Sequence, residues 1–447
     1  MKNRAYHKDL KTFRLGGIHP ADNKLSASVP LATLPIPKQV TIPIIQHIGA
    51  PAKVIVQRGD TVKVGQVIAQ HEGFISSNIH ASCSGRIGII EEVMDSSGFK
   101  HLAVNIRVKG DDWLETIDRT DGLVEAIALS REEIVARVME AGVVGMGGAG
   151  FPSHAKIKVP EGKHIDTLII NGVECEPYLT ADHRLMLEKP REIIVGVRIL
   201  MKALGVSRAI IGIEDNKHDA IELFANLLTE EKDIEVQPLE VQYPQGGEKQ
   251  LIQAVLNREV PSGGLPADVG VIVHNVGTTF AIYEAVQKNK PLIERVVTVT
   301  GKEVKQPSNL WVRIGTPVID LITAAGGLPE TTGKVISGGP MMGKAIADLE
   351  VPVAKGTSGI LMIPQSETKR AEEYNCVHCG KCIEACPMGL EPYRLLLLSK
   401  AGQSEKSKRE NVLDCIECGS CSFVCPSNRP ILDYIRLSKT KVKKLKL

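Results

Sequence analysis

Along the chain the spacing of apolar positions changes several times, and each change predicts a different kind of unit. Residues 38–110 carry short β-branched runs, VTIPIIQHIGAPAKVIVQRGDTVKVGQVIAQ, cut by Gly-Asp and other Gly-containing turns, and continue into ASCSGRIGIIEEV at 81–93. Such runs predict the strands of a small β-rich unit. From Arg131 the period lengthens to that of a helix, REEIVARVMEAG, with apolar residues three to four positions apart. Beyond it, the apolar stretches at 167–170, 208–215 (RAIIGIED) and 267–286 (ADVGVIVHNVGTTFAIYEAV) are separated by helical ones. Strand and helix in alternation predict a doubly wound α/β domain. Residues 297–350 hold VTVTGKEV, RIGTPVIDLITAAGGL and KVISGGPMMGKAI. That order of strand, short helix, Gly-rich turn and strand predicts a small α+β unit that packs or bridges toward the C-terminal part.

The two ends have weaker patterns. Residues 1–35 read as an extended arm with a turn in FRLGGIHP at 13–20, closed by Pro35 and Pro37. The linker PQSETKRAEE at 364–373 leads into a cysteine-rich region, within which 391–411, opening EPYRLLLLSKAG, predicts one helix. At 447 residues the chain exceeds one ordinary core. The expected division is an arm at 1–37, a β-rich domain at 38–115, an α/β domain at 116–296, the small α+β domain at 297–363, and a cysteine-rich domain with a basic tail at 364–447. The VxxGDxVxxGQ run of the β-rich part is similar to the barrel-sandwich fold of biotinyl and lipoyl carriers. A carrier needs a lysine at its hairpin tip, and the tip here, EGFISSNIHA, has none. The barrel is therefore expected to be structural or to dock a partner.

Composition narrows the function. With 54 basic and 52 acidic residues the formal charge is +2, and 43% of residues are hydrophobic. That balance gives no reason to expect nucleic acid as a partner. Lysines at 439, 441, 443, 444 and 446 form a local exception. They read either as a frayed, solvated tail or as a contact for an anionic membrane surface or an acidic partner. No run of about 18 apolar residues is present, and the charged first 15 residues lack the apolar core of a secretory leader. The chain is expected to stay in the cytoplasm unless a partner holds it at a membrane.

Eight of the ten cysteines fall within residues 376–425. CVHCGKCIEACP supplies Cys376, Cys379, Cys382 and Cys386; CIECGSCSFVCP supplies Cys415, Cys418, Cys421 and Cys425. Both follow C-x2-C-x2-C-x3-C-P, the bacterial two-[4Fe–4S] ferredoxin run. Three thiolates three residues apart on a tight loop reach three irons of one cubane. The fourth opens the next helix, points away, and serves the other cluster. One cluster is thus expected on Cys376, Cys379, Cys382 and Cys425, and the other on Cys415, Cys418, Cys421 and Cys386. A zinc site would not require this duplicated order. Cys83 and Cys175 stand alone and read as small buried residues.

Candidate ligand-binding residues lie in the α/β domain. VGMGGAGFPSHAKI at 144–157 places Gly145, Gly147, Gly148 and Gly150 within six residues, a loop whose backbone N–H groups can cradle a phosphate. Lys156 follows, where it could neutralise phosphate charge. The 167–170 strand ends in Asn171, with Glu174 and Glu176 just beyond. YPQGGEKQLI at 243–252 contains Gly246, Gly247 and Glu248, and Asn275 closes another strand. Polar groups at strand C-termini of such a domain are well placed for a ligand.

In this order the pieces resemble the C component of the Rnf complexes, membrane-bound ferredoxin:NAD oxidoreductases that move Na⁺ or H⁺. GGIHP, the barrel, GMGGAGFPSHAK, NGVECEPYLTADHR and the two cysteine motifs carry the resemblance, which spans essentially the whole chain. The central part also resembles the flavin- and NADH-binding subunit of respiratory complex I, and the small unit its β-grasp (SLBB-like) domain. The resemblance implies a barrel-sandwich hybrid, a doubly wound flavin/NADH-type domain, a β-grasp domain and a two-cluster ferredoxin module. It implies FMN and two [4Fe–4S] clusters as cofactors and NAD(H) as substrate. It further implies other membrane-embedded and peripheral subunits as partners, ferredoxin as an indirect one, and a place on the cytoplasmic face of the membrane. Carried over, Gly145, Gly147, Gly148 and Lys156 would hold the flavin phosphate. Asn171, Glu174 and Glu176 would line flavin and nicotinamide, and Gly246, Gly247, Glu248 and Asn275 would complete the site. Met146 and Val173 depart from the arginine and aspartate of the complex I pattern. Alternatives are a cobalamin-reductase-like flavin iron–sulfur protein, in which the cluster motifs precede the barrel, a non-enzymatic electron relay, and a docking protein.

Overall fold

In the β-rich part every second residue of a strand turns inward, so Val40 and Ile42 of Gln39–Pro43 are fully buried while Gln39 and Thr41 are not. A computed structural model describes residues 10–159 and 162–445; the first nine residues of the arm, with Lys446 and Leu447 of the tail, lie outside the described residues. Gln39–Pro43, Lys100–Val108, Gly85–Met94 and Thr61–Val62 form one antiparallel sheet, and Lys53–Val54, Val67–Gln70 and Ile79–His80 form another. The lysine-free tip between the last two strands touches the central domain. The Phe74 carbonyl lies 3.0 Å from His154 Nε2, the two rings meet edge to face at 5.9 Å, and Ile48 N–H donates to the Gly150 carbonyl at 3.2 Å. The barrel thereby braces the segment that follows the Gly-rich loop.

The central domain has four parallel strands in the spatial order Ile234–Leu239, Ala209–Glu214, Thr167–Asn171, Val271–Asn275. The chain runs outward from Thr167–Asn171, then returns to pair Val271–Asn275 on that strand's other side. The reversal makes a topological switch point, where open α/β sheets bind ligands beyond the strand C-termini. The polar strand ends Asn171 and Asn275 stand opposite each other there. The strands are apolar on both faces because helices cover both. Leu168 and Ile170 join one core with helices Pro190–Leu204 and Val276–Lys288, and Ile169 joins another with Glu248–Leu256. Pro190–Leu204 starts on a proline and stops where Gly205 turns left-handed, φ 70°.

The small domain is a sheet ordered Leu31–Thr33, Ser308–Arg313, Glu294–Thr300, Gly359–Pro364, Thr332–Ser337, Lys344–Ile346, packed on helix Val318–Ala324. Its first strand comes from the arm, which is extended but not loose. Lys11 pairs with Leu239, Ile18 exchanges both backbone hydrogen bonds with Tyr243, and Leu31–Thr33 runs parallel to Ser308–Arg313. One segment therefore stitches the central sheet, the small sheet and the cysteine-rich domain together.

Two expectations fail in the cysteine-rich domain. Residues 391–411 form two helices, Pro392–Lys400 and Ser404–Arg409, because the chain turns at Gly402 with φ 67°. The lysine-rich tail, as far as Leu445, is not frayed: Ile431–Lys444 is a helix whose Ile431, Leu432, Ile435 and Val442 are buried. Their helical spacing anchors it, and Lys439 Nζ donates to the Cys415 carbonyl at 2.6 Å and to Glu417 at 2.7 Å. Among the described residues no helix is long and apolar enough to cross a membrane.

Gly16 marks where the arm meets the cysteine loops. Its φ is +74°, and a Cβ there would lie 2.5 Å from the backbone carbon of Cys386. Gly16→Ala should cost about 1–3 kcal/mol and raise amide exchange around 385–389. Exchange unchanged in that variant would show that the contact is not tight.

Candidate functional site

Two glycine-containing loops converge on the switch point. The first opens after the bridge of Val144 to Pro152, with Gly145 N–H donating to the Phe151 carbonyl at 2.9 Å. Gly147, Gly148 and Ala149 are exposed, and their N–H groups donate to no group of the described residues. A Cβ on Gly147 would press Asn275 at 2.9 Å, whereas one on Gly148 would meet nothing within 4 Å. Free, consecutive N–H groups bare of side chains suit an anion such as a phosphate. The second loop, Gly246–Gly247, is held by Asn171, whose Nδ2 donates to the Gly246 carbonyl at 2.9 Å. Glu248 opens the next helix and forms an ion pair of 2.5 Å with Lys156, so the two loops are joined by opposite charges. Asn275 Oδ1 caps helix Val276–Lys288 by accepting from Gly277 and Thr278, and its Nδ2 donates to Asp182 at 2.6 Å.

The acidic pair is held by different elements. Glu174 takes up φ 47°, and its carboxylate accepts from Asp182 N–H at 2.8 Å and His183 N–H at 3.1 Å, at the start of helix Ala181–Glu188. Glu176 reaches the small domain and accepts from Met341 N–H at 3.1 Å and Met342 N–H at 2.8 Å. Only glycine fits opposite it at 339, where a Cβ would lie 2.2 Å from its oxygen. Burial pushes the Glu176 carboxyl up to about 7 against the pull of those N–H groups. Burial and the Glu174 charge push Asp182 up to about 7 as well. Val173, by contrast, points into the core under helix Glu248–Leu256, which accounts for an apolar residue at that position.

Two lysines lie beneath this segment. Lys24 Nζ donates to the carbonyls of Glu174, Glu176 and Leu179 at 2.7, 2.9 and 2.8 Å. Lys217 Nζ donates to the Val173 carbonyl at 2.7 Å and lies 3.5 Å from Glu214. Burial and the charge of Lys217 lower the Lys24 pKa. Sequence reading missed both lysines. Neither lies in a motif, and Lys24 sits 150 residues before the first carbonyl it holds.

The eight clustered thiols divide between two cavities. Cys376, Cys379, Cys382 and Cys425 line one with Val377, Ile383 and Ile431. Cys386, Cys415, Cys418 and Cys421 line the other with Leu432 and Ile435. Among the described residues no three His, Cys, Asp or Glu gather closely enough to hold one metal ion, so the thiols surround a space rather than a point. That arrangement and the apolar linings fit [4Fe–4S] clusters. The loops repeat each other: His378 and Glu417, Gly380 and Gly419, and Gly389 and Asn428 all have positive φ. The second cavity faces the central domain. Tyr243 Oη donates to the Cys418 carbonyl at 2.8 Å, Gly17 N–H donates to Ala385, and Met341 packs over Gly419. Cys379 of the first cavity is exposed. Of the two isolated cysteines Cys83 is buried, while Cys175 accepts a contact of 3.4 Å from Gly246 N–H.

Known proteins match along the chain. Residues 11–111 match a family described as RnfC barrel sandwich hybrid domain, 138–284 the Nuo51 FMN-binding domain, 296–345 the SLBB domain and 375–429 a 4Fe-4S dicluster domain. The C component of the proton-translocating ferredoxin:NAD(+) oxidoreductase complex of Clostridium ljungdahlii is 48% identical over 88% of this chain and 85% of its own. The Na(+)-translocating counterpart of Acetobacterium woodii is 44% identical over 96% and 97%. The C component of the ion-translocating oxidoreductase complex of Rhodobacter capsulatus is 43% identical over 97% and 84%. Among solved structures, a chain of an NAD+-reducing [NiFe]-hydrogenase is similar in fold, with a TM-score of 0.51 at 19% identity over 71% of this chain and 63% of that one.

The raised carboxyl values predict a pH effect on the flavin-free chain. Glu176 holds a proton in the folded state up to about 7 but gives it up near 4.5 when unfolded. Its contribution is present below 4.5 and lost as pH rises through 7. Glu176→Gln should therefore flatten the fall in unfolding free energy, read by urea titration, between pH 5 and pH 7.5, by an amount on the order of 2–3 kcal/mol at most. An equal fall in both proteins would refute the assignment.

Proposed function

The chain belongs to the family of C components of ion-translocating ferredoxin:NAD(+) oxidoreductase complexes, and we propose on that footing how its residues serve electron transfer. It is an electron-transfer subunit of such an oxidoreductase, with an FMN-binding domain and a two-[4Fe–4S] domain, and it works with other subunits. FMN held in the central domain would supply hydride exchange with NAD(H) and one-electron transfer, and clusters held by the thiols would supply one-electron carriage. The protein's part is to bind, orient and align.

The N–H groups of Gly147, Gly148 and Ala149 receive the flavin phosphate, and Lys156 adds its charge when it turns from Glu248. Glu176, Asn171 and the Gly246–Gly247 loop border the flavin ring and the nicotinamide. Glu174 and Asn275 shape the site indirectly, since their side chains cap helices. Cys386, Cys415, Cys418 and Cys421 hold the inner cluster, and Cys376, Cys379, Cys382 and Cys425 the outer one. The observation that carries the reading is the order in space: Gly loop, Glu176 and Tyr243, inner thiols, outer thiols with Cys379 at the surface. The outer set faces the next carrier, on another protein of the complex. The chain sits on the cytoplasmic face of the membrane as a peripheral subunit, held by partners that supply the membrane-spanning part.

Iron loss tests the crossed ligand sets. Cys379→Ala and Cys425→Ala, in different motifs, should each halve the iron and remove the same electron paramagnetic resonance signal, while Cys386→Ala removes the other. Loss of one signal by Cys425→Ala and Cys421→Ala together would instead show uncrossed sets. Anaerobic titration of the FMN-loaded chain with NADH should bleach the flavin band; bleaching by dithionite alone would favour the relay reading. Lys156→Ala should weaken FMN binding about tenfold, roughly the worth of one charge-assisted hydrogen bond, as read by flavin fluorescence.

A further inference from the structure

The two lysines under the acidic segment form a fastening that carries more charge than the segment requires. Lys24 directs all three of its protons to the carbonyls of Glu174, Glu176 and Leu179, and Lys217 adds the carbonyl of Val173. Four carbonyl oxygens of one short loop are thus held by two ammonium groups. Neutral donors could hold the same oxygens without taking charge out of water, which is unfavourable. The two cations also repel each other, since Lys217 is the main charge that lowers the Lys24 pKa after burial.

Acids offset this charge from more than one side. The carboxylate of Glu174 is turned to a helix start and that of Glu176 to Met341 and Met342. The acid that acts most on Lys24 is Glu174, followed by Glu214, which lies 3.5 Å from Lys217. Glu214 is 1% exposed. Neither of its oxygens has a hydrogen-bond partner of good geometry, although the Gln242 backbone leans toward it. It faces a cavity lined by His19, Asp22, Cys175, Gln242 and Tyr243. The two ammonium groups thus stand as buried cations directly behind the loop that carries Glu174 and Glu176, with Glu174 and Glu214 as the main counter-charges of Lys24. In so dry a place their field reaches several ångströms with little screening.

We propose that Lys24 of the N-terminal arm, with Lys217, is a positioning residue of the flavin site whose charge favours the electron-rich form of the bound flavin. The inference rests on the reading that the 171–176 segment borders the flavin. The arm then does more than tie domains together: it completes the electrostatics of the site, and Glu214 moderates them from the cavity side. Charge near the flavin ring is one of the few means a protein has to tune it.

The test uses the full chain, reconstituted with FMN, iron and sulfide, with the flavin midpoint potential read by spectroelectrochemistry at pH 8. That pH lies above the value of about 6 to which burial raises Glu214. Lys24→Met should shift the potential negative, and Lys24→Arg should restore most of the shift. Glu214→Gln, which keeps the side chain's size and removes the anion beside Lys217, should shift it positive. A staple without electrostatic effect would give faster amide exchange over 173–179 in Lys24→Met, weaker FMN binding, and no shift in either variant; that result overturns the proposal. If Lys24→Met fails to fold, an unshifted Glu214→Gln is enough to overturn it. Failure of the wild-type chain to bind FMN, or failure of Glu176→Gln to alter its binding, would count against the site reading instead.

Discussion

The hydrogen bond from Tyr243 to the Cys418 carbonyl, 2.8 Å long, stands where the nucleotide-type domain meets the cluster domain, and much of the architecture serves to keep that junction closed. An electron path tolerates little separation between its stations, so a hinge here would defeat the molecule. Three elements close it from different sides. The arm's Ile18 pairs with Tyr243 and its Gly17 with Ala385; Met341 of the small domain packs over Gly419; Gln250 of the central domain donates to the Pro387 carbonyl at 3.2 Å. Each contact involves backbone on at least one side, so it depends on chain path more than on side-chain identity. The glycines at 16, 17 and 419 permit that close approach.

The exchanged fourth cysteine works in the same way. Because Cys386 lines the cavity of the second loop and Cys425 that of the first, neither half of the cluster domain can close without the other. The Ile431–Lys444 helix then lies across both, with Ile431 at one cavity and Ile435 at the other. Lys439, bonded to Cys415 and Glu417, fixes that helix to the loop nearest the central domain. Its lysines further on, at 441, 443 and 444, project from the exposed face. A charge run that reads as a loose end in sequence is thus half anchor and half surface.

What is legible in the sequence is what is local. Cysteine spacing dictates loop geometry within a dozen residues, and the Gly-rich loop and strand ends are recognisable by pattern, which is why Gly147, Asn171 and Asn275 stand out together. The division of 391–411 at Gly402 is available in principle, since Ala-Gly after a short apolar helix is a stop. The connections that decide the site's interior are not legible. Lys24, Lys217 and Gly339 reach their targets from distant parts of the chain, and a lone lysine in an arm looks like any surface lysine. Nor can the barrel's lysine-free tip reveal its use, since Phe74 contacts His154 only through the fold.

These buried charges also bear on when the site is well formed. Lys24, Lys217 and Arg295 lie close to Glu174, Glu176, Asp182 and Glu214, and burial disfavours the charged state of Lys24, Arg295, Glu176, Asp182 and Glu214. Folding is stable by only about 5–15 kcal/mol in an ordinary domain, so such a network weakens its own scaffold unless something offsets it. An anionic ligand at the Gly-rich loop supplies an offset, because it adds negative charge near exposed N–H groups and near Lys156 while binding only the folded form. The central domain is therefore expected to gain order with its flavin, and the cluster domain, fastened through Tyr243 and Met341, to share in that gain.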